Sequence, residues 1–320
     1  MRHDDAVIEL PVLDTGFLGD WVDRLRTSTG PPVVGVLLRG SYARDEATTY
    51  SDVDLDVLVD GPPRQSYPAY LVEAGGRLVH LSVAVSDTTS WYAHVSAPAD
   101  WAFGLPVVAP ARLLWAAEEW RDRLDVTEIR QPAGDPALED LVAGLGKVAG
   151  AYAAGDDLGA RFAATDLARL CPSVLRLANP AVTVAGRRSA LDAALGFRVA
   201  PAGYRDDMLT CLGLAAAAPF QVYAAARRLV TGTVTLIRPY ANQLAPTAGE
   251  DLAGALLDGR LPRYLSQLTP TPPPSPPSSR PPCPSSRPSS RPLVRRADRL
   301  FPSIKGEGSC FDLFSTAGCP

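Results

Sequence analysis

GSYARDEATTYSDVDLDVLV, residues 40–59, sets three aspartates at alternate positions of what otherwise reads as a buried strand. Alternation along 51–59 puts Asp52, Asp54 and Asp56 on one face and Val53, Leu55, Val57 and Val59 on the other. Side chains two apart on a strand lie about 7 Å from each other. Aspartate is disfavoured in strands, and carboxylates crowded on one face repel unless something positive lies among them. An edge strand with its aspartates in water would satisfy the pattern. So would a divalent cation, because hard cations such as Mg²⁺ take oxygen ligands from one or two carboxylates, phosphates and waters.

The preceding residues favour the cation. PVVGVLLR (32–39) is a mostly apolar run of strand length that ends directly in Gly40-Ser41. A strand passing into a glycine–serine turn frees backbone N–H groups and a hydroxyl to hold an anion, and glycine permits the close approach and the positive φ that such a turn can require. Gly-Ser after a strand is commonplace alone. Followed eleven residues later by same-face carboxylates, it describes two halves of one site: donors for a triphosphate and ligands for the metal bridging it.

Outward from this stretch the chain divides into three. Residues 1–115 alternate helix and strand signals, with an amphipathic helix over GFLGDWVDRLRTST (16–29) and a further strand over RLVHLSVAV (77–85). Residues 116–266 read as an all-helical domain. Leu138, Leu141, Val142, Leu145, Val148 and Tyr152 recur at three and four, DLGARFAATDLARLC (157–171) repeats the pattern up to Pro172, and further helices follow Pro201 and Pro219. Residues 267–320 read as a disordered tail, since 270–292 hold eleven prolines among serines and arginines, a composition that buries no core. The expected fold class is α/β (α+β): a mixed, mainly antiparallel sheet with flanking helices, then the helical domain and the tail.

Net charge is −4, and seven Arg or Lys against three Asp or Glu after residue 270 leave the body more acidic than the whole. Such a body is a poor platform for polymeric nucleic acid, which needs clustered cations, and suits cationic small molecules. Five cysteines form no CxxC pair, the N-terminus lacks the charge pattern of a signal peptide, and no apolar run is long enough to span a membrane. The expectation is a reduced, cytoplasmic protein without zinc. No GxGxxG, P-loop, GxSxG or HExxH motif is present.

Gly40-Ser41, ten residues, then Asp52-Val53-Asp54 resembles the hG[GS]…Dh[DE]h signature of the DNA polymerase β-like nucleotidyltransferase superfamily. The longer string GSYARDEATTYSDVDLDV is similar to the GSxARG…SDxDL form of small bacterial nucleotidyltransferases, including aminoglycoside-modifying enzymes and antitoxin-type proteins. The resemblance covers about residues 30–115. It implies that Asp52 and Asp54 hold Mg²⁺ in a two-metal site, that Ser41 and the Gly40 backbone hold the β- and γ-phosphates, and that Arg44 lies near them. The implied reaction moves a nucleoside monophosphate from ATP or another NTP to a hydroxyl of a small, aminoglycoside-like molecule and releases pyrophosphate. A homodimer is left open, and so is a catalytically weak, antitoxin-like binding module.

Two positions depart from the pattern. The family's third carboxylate is missing from 77–85, where the face opposite Val79, Leu81, Val83 and Val85 carries Leu78, His80, Ser82 and Ala84. The proton acceptor is then His80, imidazole being a side chain suited to that work, or Asp56 on the face of the pair, or a group from elsewhere. Asp45 stands where the GSxARG form has glycine, so its carboxylate either points away from the phosphate site or weakens it.

Overall fold

The computed structural model describes residues 15–270 apart from 29 and 75. The proline-rich tail beyond Pro270 and the first fourteen residues lie outside them. Helix α1 (Thr15–Ser28) precedes strand β1 (Val33–Arg39), which runs straight into the single turn α2 (Gly40–Ala43). Then come β2 (Val53–Val59), β3 (Ala69–Ala74), β4 (Arg77–Asp87) and α3 (Thr88–Val95). After a 3₁₀ turn at Asp100–Ala102 follow β5 (Val107–Pro110), β6 (Arg112–Ala116), α4 (Arg121–Leu124) and β7 (Glu128–Gln131). Five strands form one sheet in the order β3-β4-β2-β1-β6, with β2 and β4 parallel and the other neighbours antiparallel. β5 and β7 form a separate antiparallel pair. The mixed, mainly antiparallel sheet is the one the sequence predicts.

The two faces of this sheet are built differently. Trp21, Val22 and Leu25 of α1 pack on Val53, Leu55, Val57 and Val59 of β2 and on Val79, Leu81, Val83 and Val85 of β4, so the alternation in both strands is used to seal one face. On the opposite face Leu37 and Leu58 pack with Trp91 of α3, Leu124 and Ile129. Moving back along β2 from Leu58, that same face changes from apolar to Asp56, Asp54 and Asp52. The core stops there and the cleft begins.

Helices dominate from Leu138: α5 (Leu138–Ala153), α6 (Asp157–Leu175), α7 (Arg187–Leu195), α8 (Tyr204–Cys211), α9 (Pro219–Ile237), α10 (Ala241–Ala248), α11 (Glu250–Asp258) and α12 (Arg260–Gln267). The predicted stripe Leu138, Leu141, Leu145 and Val148 is buried and packs with Leu167, Cys171 and Val174 of α6 and Val222, Leu229 and Val230 of α9. Leu105, Val107 and Ala109 join this core from the first segment. The sequence pattern predicts that α6 stops at Pro172, but the helix runs through it to Leu175. Proline removes one i→i−4 hydrogen bond, and burial of Ser173, Val174 and Leu175 in the core outweighs that loss. Among the described residues no helix is long and apolar enough to cross a membrane.

Candidate active site

β1 ends at Arg39, and Gly40 turns the chain with φ +67°, a left-handed conformation that residues with a Cβ rarely adopt. The register pairs Arg39 with Asp54 across β1 and β2, so the turn is laid directly over the Asp54 side chain. A Cβ at residue 40 would collide with the Asp54 carboxylate. Glycine is therefore required both by the backbone angle and by the space left beside the acid. Ser41 follows in the same turn and lines the cleft with Gly40.

The three aspartates share a face, as the alternation predicts, but differ in state. Asp52, just before β2, is half exposed, and its Oδ2 lies 3.8 Å from His80 Nδ1. Asp54 is partly buried. Removal from water, followed by the neighbouring Asp52 and Asp56 charges, pushes its carboxyl up to about 6, while Arg39 and Arg44 pull the other way. Asp56 is spoken for: its Oδ2 accepts from Arg39 Nη1 at 2.7 Å and from Trp91 Nε1 at 2.9 Å. Helix α3 aims that indole, and Asp87 caps the helix by accepting the Ser90 N–H at 2.9 Å.

Arg44 donates through Nε to Glu46 at 2.8 Å and through Nη1 to the Ala185 carbonyl at 3.3 Å, 141 residues further along the chain. Its guanidinium rests on Gly186, where a Cβ would come within 2.9 Å of Cζ. Ser189 fixes this loop by accepting the N–H groups of Ala185 at 3.1 Å and Gly186 at 2.9 Å, and α7 starts at Arg187. Asp45 is left-handed, φ +59°, the conformation for which glycine is the ordinary choice. Its carboxylate pairs with Arg112 of β6 and points away from the cleft.

These elements enclose a cavity of about 830 Å³ lined by Arg39, Gly40, Ser41, Arg44, Asp52, Asp54 and Asp56 on one side and by Ala185, Gly186, Arg187 and Arg188 on the other. Tyr50, His94 and Trp101 also line it. Neither Arg187 nor Arg188 forms an ion pair with a described residue. Trp101 is shared with a second cavity of about 410 Å³, whose walls carry Asp100, Asp135, Asp166 and Arg169 beside Phe103. Among the described residues no three His, Cys, Asp or Glu side chains gather so as to hold a metal on their own. Asp52 and Asp54 beside a phosphate-sized turn fit instead an ion that completes its shell with phosphate oxygens and waters.

Gly40, Ser41, Arg44, Asp52, Asp54 and Asp56 line one cleft, whereas His80, also singled out in the sequence, approaches Asp52 without lining it and Asp45 is turned to Arg112. Arg39, Trp91, Arg187 and Arg188 were missed. The antiparallel pairing of 39 with 54 could have been read from the two strands and the turn between them. Nothing in the sequence links Arg187 and Arg188 to residue 44.

Comparison with known proteins agrees with this geometry. Residues 22–98 match the family described as nucleotidyltransferase domain, and residues 137–239 match the family described as nucleotidyltransferase, substrate binding domain. The crystal structure of a nucleotidyltransferase-like protein from Exiguobacterium sibiricum 255-15 is 10% identical, with 77% of this chain and 90% of that one covered and a TM-score of 0.34, a likeness too distant to bear on the chemistry. No curated protein matches the chain. With a nucleotidyltransferase domain followed by a substrate-binding domain of the same enzymes, the chain belongs to the nucleotidyltransferase superfamily.

Proposed function

We propose that the protein transfers a nucleoside monophosphate from an NTP to a hydroxyl of a small cationic molecule, in the cytoplasm, with pyrophosphate leaving. One observation carries this reading: Gly40 is packed so tightly on Asp54 that the glycine–serine turn and this acid lie against each other with no room for a side chain between them. Asp52 and Asp54 would hold Mg²⁺, Ser41 and the Gly40 backbone the phosphate tail, and Arg44, Arg187 and Arg188 the outer phosphate charge. A bound divalent ion supplies charge neutralisation to the departing pyrophosphate. The protein's own share is orientation and electrostatics, which dominate phosphoryl and nucleotidyl transfer.

Charge supports a site for the acceptor. Asp100, Asp135 and Asp166 with the rings of Trp101 and Phe103 suit an amine-bearing, polyhydroxylated compound of the aminoglycoside kind, entering beside the cleft that shares Trp101. Asp56, tied to Arg39 and Trp91, is set aside as the proton acceptor, and His80 beside Asp52 takes that role. Mg²⁺-dependent pyrophosphate release from NTPs, assayed over a panel of cationic hydroxylated acceptors, tests the reading. Asp52→Asn and Asp54→Asn are each expected to lower kcat by at least about a thousandfold. Absence of turnover with every nucleotide and acceptor, together with absence of nucleotide binding by calorimetry, would leave only a binding module.

A further inference from the structure

The following rests on the nucleotidyl-transfer reading of the cleft. Of the three aspartates, one is already engaged by neighbours inside the fold. Arg39 and Trp91 donate to the same oxygen of Asp56, and the Arg39 and Asp56 side chains are 20% and 15% exposed, so the pair is largely shielded from water. Because Arg39 stands in register with Asp54, its guanidinium rises from the same face of the sheet, beside Asp54 and against Asp56. On the other side of β2, the strand β4 offers Ser82 opposite Asp54 and Ala84 opposite Asp56, and neither supplies a carboxylate. Asp52 and Asp54 remain as the other aspartates lining the cleft.

Two divalent ions about 3.5–4 Å apart repel strongly and need several negative ligands between them. One ion needs only one or two carboxylates plus substrate phosphates. We propose that this cleft takes a single divalent ion with its nucleotide, held by Asp52 and Asp54, and that Arg39, fixed by Asp56 and Trp91, supplies the positive charge a second ion would bring. The site so described departs from the two-metal arrangement that the sequence resemblance implies. It also assigns Asp56 a purpose: the carboxylate is a brace for Arg39, and would become a third metal ligand only if Arg39 were removed.

Equilibrium dialysis of the full chain against Mn²⁺ and α,β-methylene-ATP counts ions and nucleotides per chain directly, without turnover. One Mn²⁺ per bound nucleotide is expected, and two would overturn the proposal. No bound nucleotide at all would instead overturn the nucleotidyl-transfer reading on which it rests. In Arg39→Met the freed Asp56 is expected to admit a second Mn²⁺, with kcat down about a hundredfold and the nucleotide KM within about threefold of the parent. Arg39→Lys, which keeps the charge, is expected to stay at one ion and to recover part of kcat. Unchanged kcat in Arg39→Met would show that the guanidinium supplies no such charge.

Discussion

Burial and two neighbouring carboxylates hold the Asp54 carboxyl up at about 6, so the metal-free fold resists the very charge that a cation needs. The consequence for stability has a definite sign. Below about pH 4 the group is protonated both folded and unfolded and costs nothing. As pH rises from about 4 to about 6 the unfolded chain releases the proton first, and folding loses free energy that it does not regain at higher pH. Partial exposure to solvent limits the loss to about 1–2 kcal/mol. Asp54→Asn is therefore expected to raise the melting temperature of the metal-free protein by several degrees at pH 7.5 and to change it little at pH 4, while abolishing turnover. Thermal melts across that range check it. Gly40→Ala meets a different obstacle at the same spot: a positive φ costing about 1–2 kcal/mol, and a methyl group driven into the Asp54 carboxylate. Nucleotide-dependent Mn²⁺ affinity, measured by calorimetry, is expected to fall at least tenfold.

Among the elements, β2 does two tasks with its alternation, one face joining the core under α1 and the other carrying the acids. Both were legible, because period two survives any tertiary context as long as one face is sealed. The same reasoning found β1 and β4. It missed β3, β5, β6 and β7, which are short, include Pro110, and in β3 and β6 lie at sheet edges where half-exposed positions blur the pattern. It also cut α6 short at Pro172, where packing overrode a local rule. The α3–β2 link was illegible for another reason: Trp91 looks like any core tryptophan until the fold brings its Nε1 to Asp56. Trp91→Phe keeps the ring and removes the donor, and is expected to cost about 1–2 kcal/mol, read as a lower denaturant midpoint at unchanged slope.

For the whole molecule, the decisive fact is that the cleft has two owners. Residues 39–56 supply the turn and the acids, and the first turn of α7 supplies Arg187 and Arg188 from the helical segment. A motif search sees only the first, since spacing along the chain says nothing about which distant residues share a cavity. If the second wall grips phosphate, alanine at both arginines should raise the nucleotide KM about 10- to 100-fold, with a weaker dependence on salt than the parent and an unchanged melting temperature; steady-state kinetics at two ionic strengths decide. Arg44 ties the two owners together, for it sits one helical turn past the glycine–serine corner and yet holds the backbone of Ala185. A guanidinium shared in this way works as a latch: any outward displacement of the Ala185 wall would have to break its hold on that cation, and would loosen the glycine–serine corner in step.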